Sequence, residues 1–174
     1  MSLSVTELAV GLLVASFVIL AGCSQLSRYD ITVNNVTVYE AAIPYQVEAV
    51  ADKALENCLQ QTLVDQRLTE TSDLTALNCS DAGIRSLAGI EQFAQIRSLK
   101  LSGNGIRNLV VLERLERLEQ LWLDANDIID PIPVLRMTAI RQLDLADNPQ
   151  LQCPEGADIP PELKLTLPDH CEVS

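Results

Sequence analysis

Apolar side chains recur every 22 residues along the middle of the chain, in blocks that begin at positions 74, 96, 118 and 140, the last of which is incomplete. Three columns line up: Leu74, Ile96, Leu118 and Ile140; then Leu77, Leu99, Leu121 and Leu143; then Cys79, Leu101, Leu123 and Leu145. A fixed period of this length indicates a solenoid, in which each repeat is one coil and neighbouring coils bury each other's apolar side.

Within each block the order of apolar and polar positions predicts one short strand and one return segment. The opening follows the pattern LxxLxL, whose period of two is typical of a strand with one buried face. In the second block Leu109, Leu112 and Leu115 recur every three residues and predict a short helical turn. In the third block Pro131 and Pro133 argue against a regular helix, so we expect an extended or turn conformation there.

A further column holds Asn104, Asn126 and Asn148, where the first block has Ala82. With these columns the segment 74–153 resembles the leucine-rich repeat family, specifically its bacterial 22-residue, internalin-like class. The resemblance implies an α/β repeat: a short solenoid with parallel β-strands on a concave face and a ladder of buried asparagines that bond the turning backbone. Because Ala82 cannot bond in this way, we expect the first coil to find partners in the segment before it.

The segments on either side of the repeats are expected to close the two open ends of the solenoid. From Pro44 onward the apolar residues fall at helical spacing and predict an N-terminal capping helix; they are Val47, Val50, Ala51, Ala54, Leu55, Cys58, Leu59 and Leu63. After Asn148 the pattern stops, and five prolines punctuate the rest of the chain. We therefore expect a loop-rich C-terminal cap at 153–174.

The first 23 residues resemble a bacterial lipoprotein signal. The apolar run at 8–20 is too short for a comfortable membrane span, and it leads into Leu-Ala-Gly followed by Cys23. The resemblance implies cleavage after residue 22 and a membrane anchor of acyl chains, palmitate among them, on Cys23. The alternative is an uncleaved signal anchor, because no Lys or Arg precedes the apolar run. By resemblance to enterobacterial lipoproteins, Ser24 after the cysteine, a residue other than Asp, implies the outer membrane of a Gram-negative cell envelope.

The predicted organisation is a signal peptide at 1–22, a tether at 23–43, a capping helix at 44–73, repeats at 74–152 and the C-terminal cap. In the tether, apolar residues alternate at 29–33 and 36–39, and Asn34-Asn35 between them tolerates a tight turn. Either a small hairpin or a mobile linker fits this pattern, because an isolated hairpin is only marginally stable.

Charge and cysteine content narrow the function classes. The formal net charge is −12, and loss of residues 1–22 removes only Glu7, so the mature chain stays strongly acidic. This argues against nucleic acid and anionic membrane surfaces as ligands. Four cysteines besides Cys23 allow three pairings; proximity in the fold that the resemblance implies favours the disulfides Cys58–Cys79 and Cys153–Cys171. The alternative for Cys79 is a buried free thiol.

Residues with catalytic or metal-binding chemistry do not form a recognisable constellation. His170 is the only histidine, and no serine or cysteine nucleophile is matched to it. Four aspartates on neighbouring turns, Asp124, Asp127, Asp144 and Asp147, lack a loop that would organise calcium ligands, so we interpret them as a solvated acidic edge. We expect no enzyme, no cofactor and no metal site.

The outward positions of the predicted strands are the remaining candidate site. The residues that we predict to bind a ligand on the concave face are Ser98, Lys100, Gln120, Trp122, Gln142 and Asp144. Trp122 is the only tryptophan, and tryptophan is enriched among residues that dominate binding energy. Lys100 is placed to lie over its ring, with Asp144 on the other side. The alternative is a tryptophan packed flat on its own strands.

These observations predict a membrane-anchored leucine-rich repeat lipoprotein, monomeric, that binds a protein or peptide through its concave face. The alternative function is a structural cell-envelope lipoprotein without a dedicated ligand. The two hypotheses differ on Trp122: binding requires that its substitution release a partner, whereas a purely structural role predicts no effect.

Overall fold

The computed structural model describes residues 31–33, 36–39, 45–47, 49–155 and 159–171. The chain divides into two compact units, residues 1–43 and residues 44–174. The signal segment, Cys23 and most of the tether lie outside the described residues. No helix in the described part of the chain has both the length and the apolar character needed to cross a membrane.

The described part of the first unit is a β-hairpin. Strand β1 (Ile31–Val33) pairs antiparallel with β2 (Val36–Tyr39). The register shifts between Ile31 and Thr32, as at a β-bulge. Of the two alternatives for the tether, the hairpin is therefore the one that the structure contains.

The second unit is built on a five-stranded parallel sheet in sequence order. Its strands are β3 (Ala76–Asn78), β4 (Ser98–Lys100), β5 (Gln120–Trp122), β6 (Gln142–Asp144) and β7 (Lys164–Thr166). Each residue pairs with the one 22 positions further along the chain, as Leu77 does with Leu99. The hydrophobic period of the sequence is therefore the register of the sheet.

The described part of the C-terminal segment is loop-rich, as expected, but it also contains a fifth strand that we did not predict. Leu165 lies 22 positions after Leu143 and pairs with it, and Leu167 lies 22 positions after Leu145. The repeat therefore extends one strand further than the asparagine column, which ends at Asn148. Parallel pairing with β6 satisfies the backbone of β7, so the segment forms a strand although its return loop carries prolines.

The core of the second unit lies between the sheet and the return segments. The middle leucine of each strand from β3 to β6 is at most 3% exposed, while its neighbours in the strand point outward. The three apolar columns of the sequence are buried throughout coils one to four. This confirms that one face of each strand supplies the core.

Buried asparagines bond the turns between coils, as the resemblance implies. The Asn126 side-chain amide donates to the carbonyls of Leu101 and Leu123, at 2.9 and 3.0 Å, and also to that of Asp124 at 3.1 Å. Its Oδ1 accepts the backbone N–H of Ile106 at 3.0 Å. The same four-bond pattern repeats one coil earlier and one coil later; its centres are Asn104 and Asn148.

The capping helix is shorter than its apolar spacing predicts. Helix α1 spans Lys53–Gln66, not the stretch from Pro44. Before it, Tyr45 donates its N–H to the Leu68 carbonyl, and Val47 donates its N–H to Gln60 Oε1. The preceding segment therefore runs back along the helix, and its valines reach the core from beside α1 instead of extending it.

Asp52 sets the helix start and also bonds the backbone of the first coil. Its Oδ1 accepts the N–H groups of Ala54 and Leu55, which caps the helix. Its Oδ2 accepts those of Arg85 and Ser86, at 2.8 and 2.9 Å. Partial burial raises the pKa of this carboxyl, but the four donors outweigh burial and hold the pKa below its usual range.

The return segments are short helical turns. Three are 3₁₀ helices, at Thr71–Asp73, Ile90–Gln92 and Val110–Arg114. The third confirms the helical turn predicted from the leucine spacing, and buries Leu112. In the third coil, one turn of α-helix, α2 (Ile132–Leu135), stands where we expected an extended or turn conformation.

The prolines of the third coil do not prevent a helix because of where they lie. Pro131 is the N-cap residue of α2 and Pro133 lies in its first turn. The N–H groups of a first turn have no partner within the helix, so proline loses nothing there, and its fixed φ suits a helix start. The expectation was wrong because it treated these prolines as interior residues.

Both predicted disulfides are present. Cys58 of α1 is bonded to Cys79 after β3, and Cys153 is bonded to Cys171. The first covalently joins the capping helix to the first coil, and the second closes the C-terminal segment. The alternative of a free thiol at Cys79 is therefore excluded.

Candidate functional site

The candidate site is the concave face, the outward side of strands β3 to β7. Two rows of side chains cross it, one on either side of the buried middle leucines. The outer row is Ala76, Ser98, Gln120, Gln142 and Lys164, and the central row is Asn78, Lys100, Trp122, Asp144 and Thr166. All ten side chains are exposed or half-buried. The face therefore carries all six residues that the sequence predicts to contact a ligand.

Trp122 is held on this face by Lys100. The Lys100 ammonium lies 4.9 Å from the centre of the Trp122 ring, within the range of a cation–π interaction. Trp122 is half-buried, so part of the ring remains open to solvent. Within the described residues the indole N–H donates to no acceptor and Lys100 has no carboxylate partner. Both groups are therefore available to a ligand.

Charge is distributed asymmetrically along the central row. On one side of Trp122 stands the Lys100 ammonium, and on the other stands the Asp144 carboxylate, which accepts the Ala146 N–H at 3.1 Å. Asp124, just after β5, accepts a hydrogen bond of 2.5 Å from the Ser102 hydroxyl. The central row is therefore cationic at β4 and anionic at β6, with the indole of β5 between them.

Two residues of the face were missed at the level of sequence. Lys164 and Thr166 of β7 extend the outer and central rows by one strand. The signal that could have found them is the 22-residue spacing from Leu143 and Leu145 to Leu165 and Leu167. It was obscured because the first apolar column of the repeats, Leu74, Ile96, Leu118 and Ile140, continues with Glu162.

The first half of the face contains a hollow of about 260 Å³, lined by Gln66, Ala76, Leu77, Asn78, Ser98 and Lys100. Its depth follows from the outer row, because β3 and β4 contribute the small side chains Ala76 and Ser98 whereas β5 contributes Gln120. Gln66, the last residue of α1, borders it. Its volume is below that of drug-sized ligand sites and suits a single side chain.

Larger grooves lie on the return side of the solenoid. One of about 600 Å³ is bordered by Glu113 and Arg136, and one of about 360 Å³ by Glu91 and Arg114. Each residue of the second pair precedes its counterpart in the first by 22 positions. Because the groove recurs with the period of the coils, we attribute it to the stacking of return segments and not to a dedicated site.

The described residues do not bring the other candidate catalytic and metal-binding side chains together in a usable site. Within the described residues, the one group of three side chains close enough to share a metal ion is Cys153, His170 and Cys171. Both sulfurs belong to a disulfide, so neither can form the thiolate that binds a metal ion. His170 Nε2 lies 3.1 Å from the Leu151 carbonyl oxygen. The carboxylates of Asp124, Asp127, Asp144 and Asp147 do not lie close enough together to share a metal ion.

Comparison with known proteins identifies the fold. No protein-family model and no curated protein matches this chain. Among solved structures, an internalin C2 from Listeria monocytogenes str. 4b F2365 is similar with a TM-score of 0.61 and 20% sequence identity, over 75% of this chain and 62% of that chain. An internalin (inlF) of the same strain matches with a TM-score of 0.41 and 17% identity, over 66% of this chain and 46% of that chain.

These findings define the class of protein. The internalins are leucine-rich repeat proteins, and the five parallel strands with a 22-residue register show that this chain folds as a short leucine-rich repeat solenoid. The chain spans about 62% of the length of internalin C2. At this level of identity the likeness concerns the fold alone.

Proposed function

We propose that this protein is a membrane-anchored lipoprotein that binds a protein or peptide through the concave face of its repeats. Its partner is unidentified, no nucleic acid is involved, and it acts as a monomer without enzymatic activity. The lipid anchor would hold it in the cell envelope, at the outer membrane.

The observation that carries the binding proposal is Trp122, which is half-buried at the middle of the face and whose indole N–H has no acceptor among the described residues. Large aromatic side chains in such positions dominate many interfaces because they bury much area and lose little conformational entropy. Lys100 orders the ring before a ligand arrives, which lowers the entropic cost of binding.

The size of the face limits the kind of partner. Five strands about 4.8 Å apart give a face about 19 Å across, measured between the outer strands. A standard interface between globular proteins buries about 800 Å² on each partner. A peptide or a single protruding loop fits the face better than a flat globular surface does.

The anchoring proposal rests on the sequence of the first 23 residues. A short apolar run followed by Leu-Ala-Gly and Cys23 supports cleavage and acylation. Two or more acyl chains on one cysteine give stable membrane attachment, where a single chain is marginal.

The binding proposal is tested with the full chain, purified in detergent, as bait for solubilised envelope proteins. Trp122→Ala is compared with wild type and with Val110→Ala, which truncates a side chain that is 56% exposed and lies on the return side. We expect a partner that wild type and Val110→Ala retain and Trp122→Ala loses. Equal recovery by a folded Trp122→Ala protein would remove binding from the concave face.

The anchor is tested separately. Cells are labelled with a palmitate analogue, and the incorporated label is compared between wild type and Cys23→Ser, with Cys153→Ser as the matched control at another cysteine. We expect label in wild type and in the control but not in Cys23→Ser. An unlabelled wild-type chain that keeps its first 22 residues by mass would favour the uncleaved signal anchor instead.

A further inference from the structure

We propose that the hollow beside Lys100 is a subsite for an acidic side chain of the bound peptide, which gives the concave face a fixed charge preference. This inference rests on the proposed function, because it names the chemistry of the ligand at the same face. The peptide crosses Trp122 and places a glutamate or aspartate in the hollow.

The shape of the hollow comes from side-chain size along the outer row. Ala76 and Ser98, the small side chains of the outer row, line it, whereas the next residue of that row, on β5, is the longer Gln120. Gln66 closes the opposite side at the end of α1. A volume of about 260 Å³ holds one side chain and not a whole ligand. The hollow is thus a pocket within a larger contact surface.

The chemistry of the lining favours a carboxylate. Lys100 is the charged residue of the lining, and in the described part of the chain its ammonium is paired with no carboxylate. Ser98 contributes a hydroxyl, and Asn78 contributes an amide N–H₂ because its Oδ1 already accepts from the N–H and hydroxyl of Ser80. These donors suit an acceptor-only group such as an ionised carboxylate.

The end of α1 does not oppose an anion as strongly as a free helix C-terminus would. Its last turn carries carbonyls whose partial charge repels carboxylates. Two of them, at Leu63 and Val64, accept backbone N–H groups from the αL cap residue Arg67, and Leu63 also accepts from Leu68. The cap therefore reduces the negative potential next to Gln66.

Lys100 is positioned for this role by the indole. Lys100 lines the hollow, and the contact of its ammonium with the Trp122 ring, 4.9 Å from the ring centre, restricts the charge to the side of the hollow that faces β5. The ordering of a flexible lysine is thus achieved before the ligand binds, so less entropy is lost when the ion pair forms. A carboxylate in the hollow meets a charge that is already in place.

The remainder of the central row gives the ligand a direction. Asp144 lies two strands from Lys100, at a distance of about 10 Å, with Trp122 between them. A peptide that placed its acidic residue at Asp144 would suffer like-charge repulsion, and Asp124 adds to this. The acidic residue of the peptide is therefore directed to the hollow and not to the part of the face near Asp144.

The test uses an array of N-acetylated, C-amidated dodecapeptides in matched pairs that differ only by Glu or Gln at one position. Blocked termini ensure that any preference comes from the side chain. The full chain in detergent is applied as wild type, Trp122→Ala, Lys100→Met and Lys100→Glu. Lys164→Met is the matched control, since it removes a lysine of the outer row three strands from β4. Circular dichroism verifies that each variant is folded.

Among peptides whose binding depends on Trp122, we expect the Glu member of a pair to bind about 3- to 10-fold more tightly than the Gln member. Lys100→Met should remove this ratio, Lys100→Glu should invert it, and Lys164→Met should leave it unchanged. Trp122-dependent peptides without a Glu preference, or a preference that survives in Lys100→Met, would overturn this inference alone. The absence of any Trp122-dependent peptide would overturn the proposed function together with it.

Discussion

The asparagine ladder predicts that identical substitutions in successive coils differ in their effect on stability. Asn126→Ala removes the bond to the buried Ile106 N–H and three donations to carbonyls. Those carbonyls keep a second donor each. Leu101 accepts from Asn104, Leu123 from Asn148 and Asp124 from the Gly103 N–H. Only the Ile106 N–H therefore loses its sole partner.

At the end of the ladder the same change removes more. Asn148→Ala strands the Ile128 N–H in the same way, and it also removes the donation to the Leu145 carbonyl. No other donor reaches that carbonyl within the described residues, because the ladder has no asparagine in a following coil. An unsatisfied buried polar group costs about 1 to 3 kcal/mol. We therefore expect losses of about 2 kcal/mol for Asn126→Ala and about 3 kcal/mol for Asn148→Ala.

Urea unfolding of the oxidised protein measures both values. Fluorescence of Trp122, the single tryptophan, reports the repeats, and circular dichroism provides a second probe of the same transition. Asn57→Ala is the matched control on the exposed side of α1, where alanine is the better helix former, so stability should stay the same or rise slightly. A loss under about 0.5 kcal/mol for Asn126→Ala would refute this reasoning. So would an equal or smaller loss for Asn148→Ala than for Asn126→Ala.

Two further predictions concern the cap and the turns. Asp52→Ala should lower the free energy of unfolding at pH 7 by about 1 to 2 kcal/mol. Because the folded-state pKa of Asp52 is depressed, its contribution is present above the ordinary value of 3.8 and is lost as the pH falls through the lowered pKa, so wild type and variant should converge in acid titrations of stability. Ala125 has a φ of 53°, a backbone conformation in which glycine is unstrained. Ala125→Gly should therefore raise the free energy of unfolding by about 1 kcal/mol, measured as a higher urea midpoint. Gly103→Ala, one coil earlier, should lower it instead, because the added Cβ meets the Asp81 carboxylate as well as the positive φ; equal signs for the two changes would contradict this account.

Much of the candidate site could be predicted from the sequence because a repeat converts spacing along the chain into neighbourhood in space. Once the period is 22 residues, Lys100 and Trp122 must occupy adjacent strands in the same row, and their contact follows. The hollow could not be predicted in the same way. It depends on Gln66 of α1 meeting Ala76 and Ser98, and the cap helix lies outside the repeat.

The sequence by itself determined the features that depend on period and residue type. These are the register of the strands and the buried leucine columns, which follow from local alternation and from a fixed offset between coils, so no long-range geometry has to be known. The bonding role of Asn104, Asn126 and Asn148 and the pairing of the two disulfides were implied by the resemblance to the leucine-rich repeat family. The 22-residue spacing places Cys79 in the same buried column as Leu101.

Only the tertiary structure decided where the capping helix begins and how the repeats end. Apolar spacing extends upstream to Val47, yet α1 starts after Asp52, because that carboxylate bonds the helix start and also Arg85, 33 residues away. Strand β7 forms because β6 offers an unpaired edge, which outweighs the local preference of a proline-rich segment for loops. In both places the deciding partners are distant in sequence. Hydrophobic periodicity carries no information about the bond from Arg85 to Asp52, and at β7 the 22-residue spacing of Leu165 and Leu167 is obscured by Glu162.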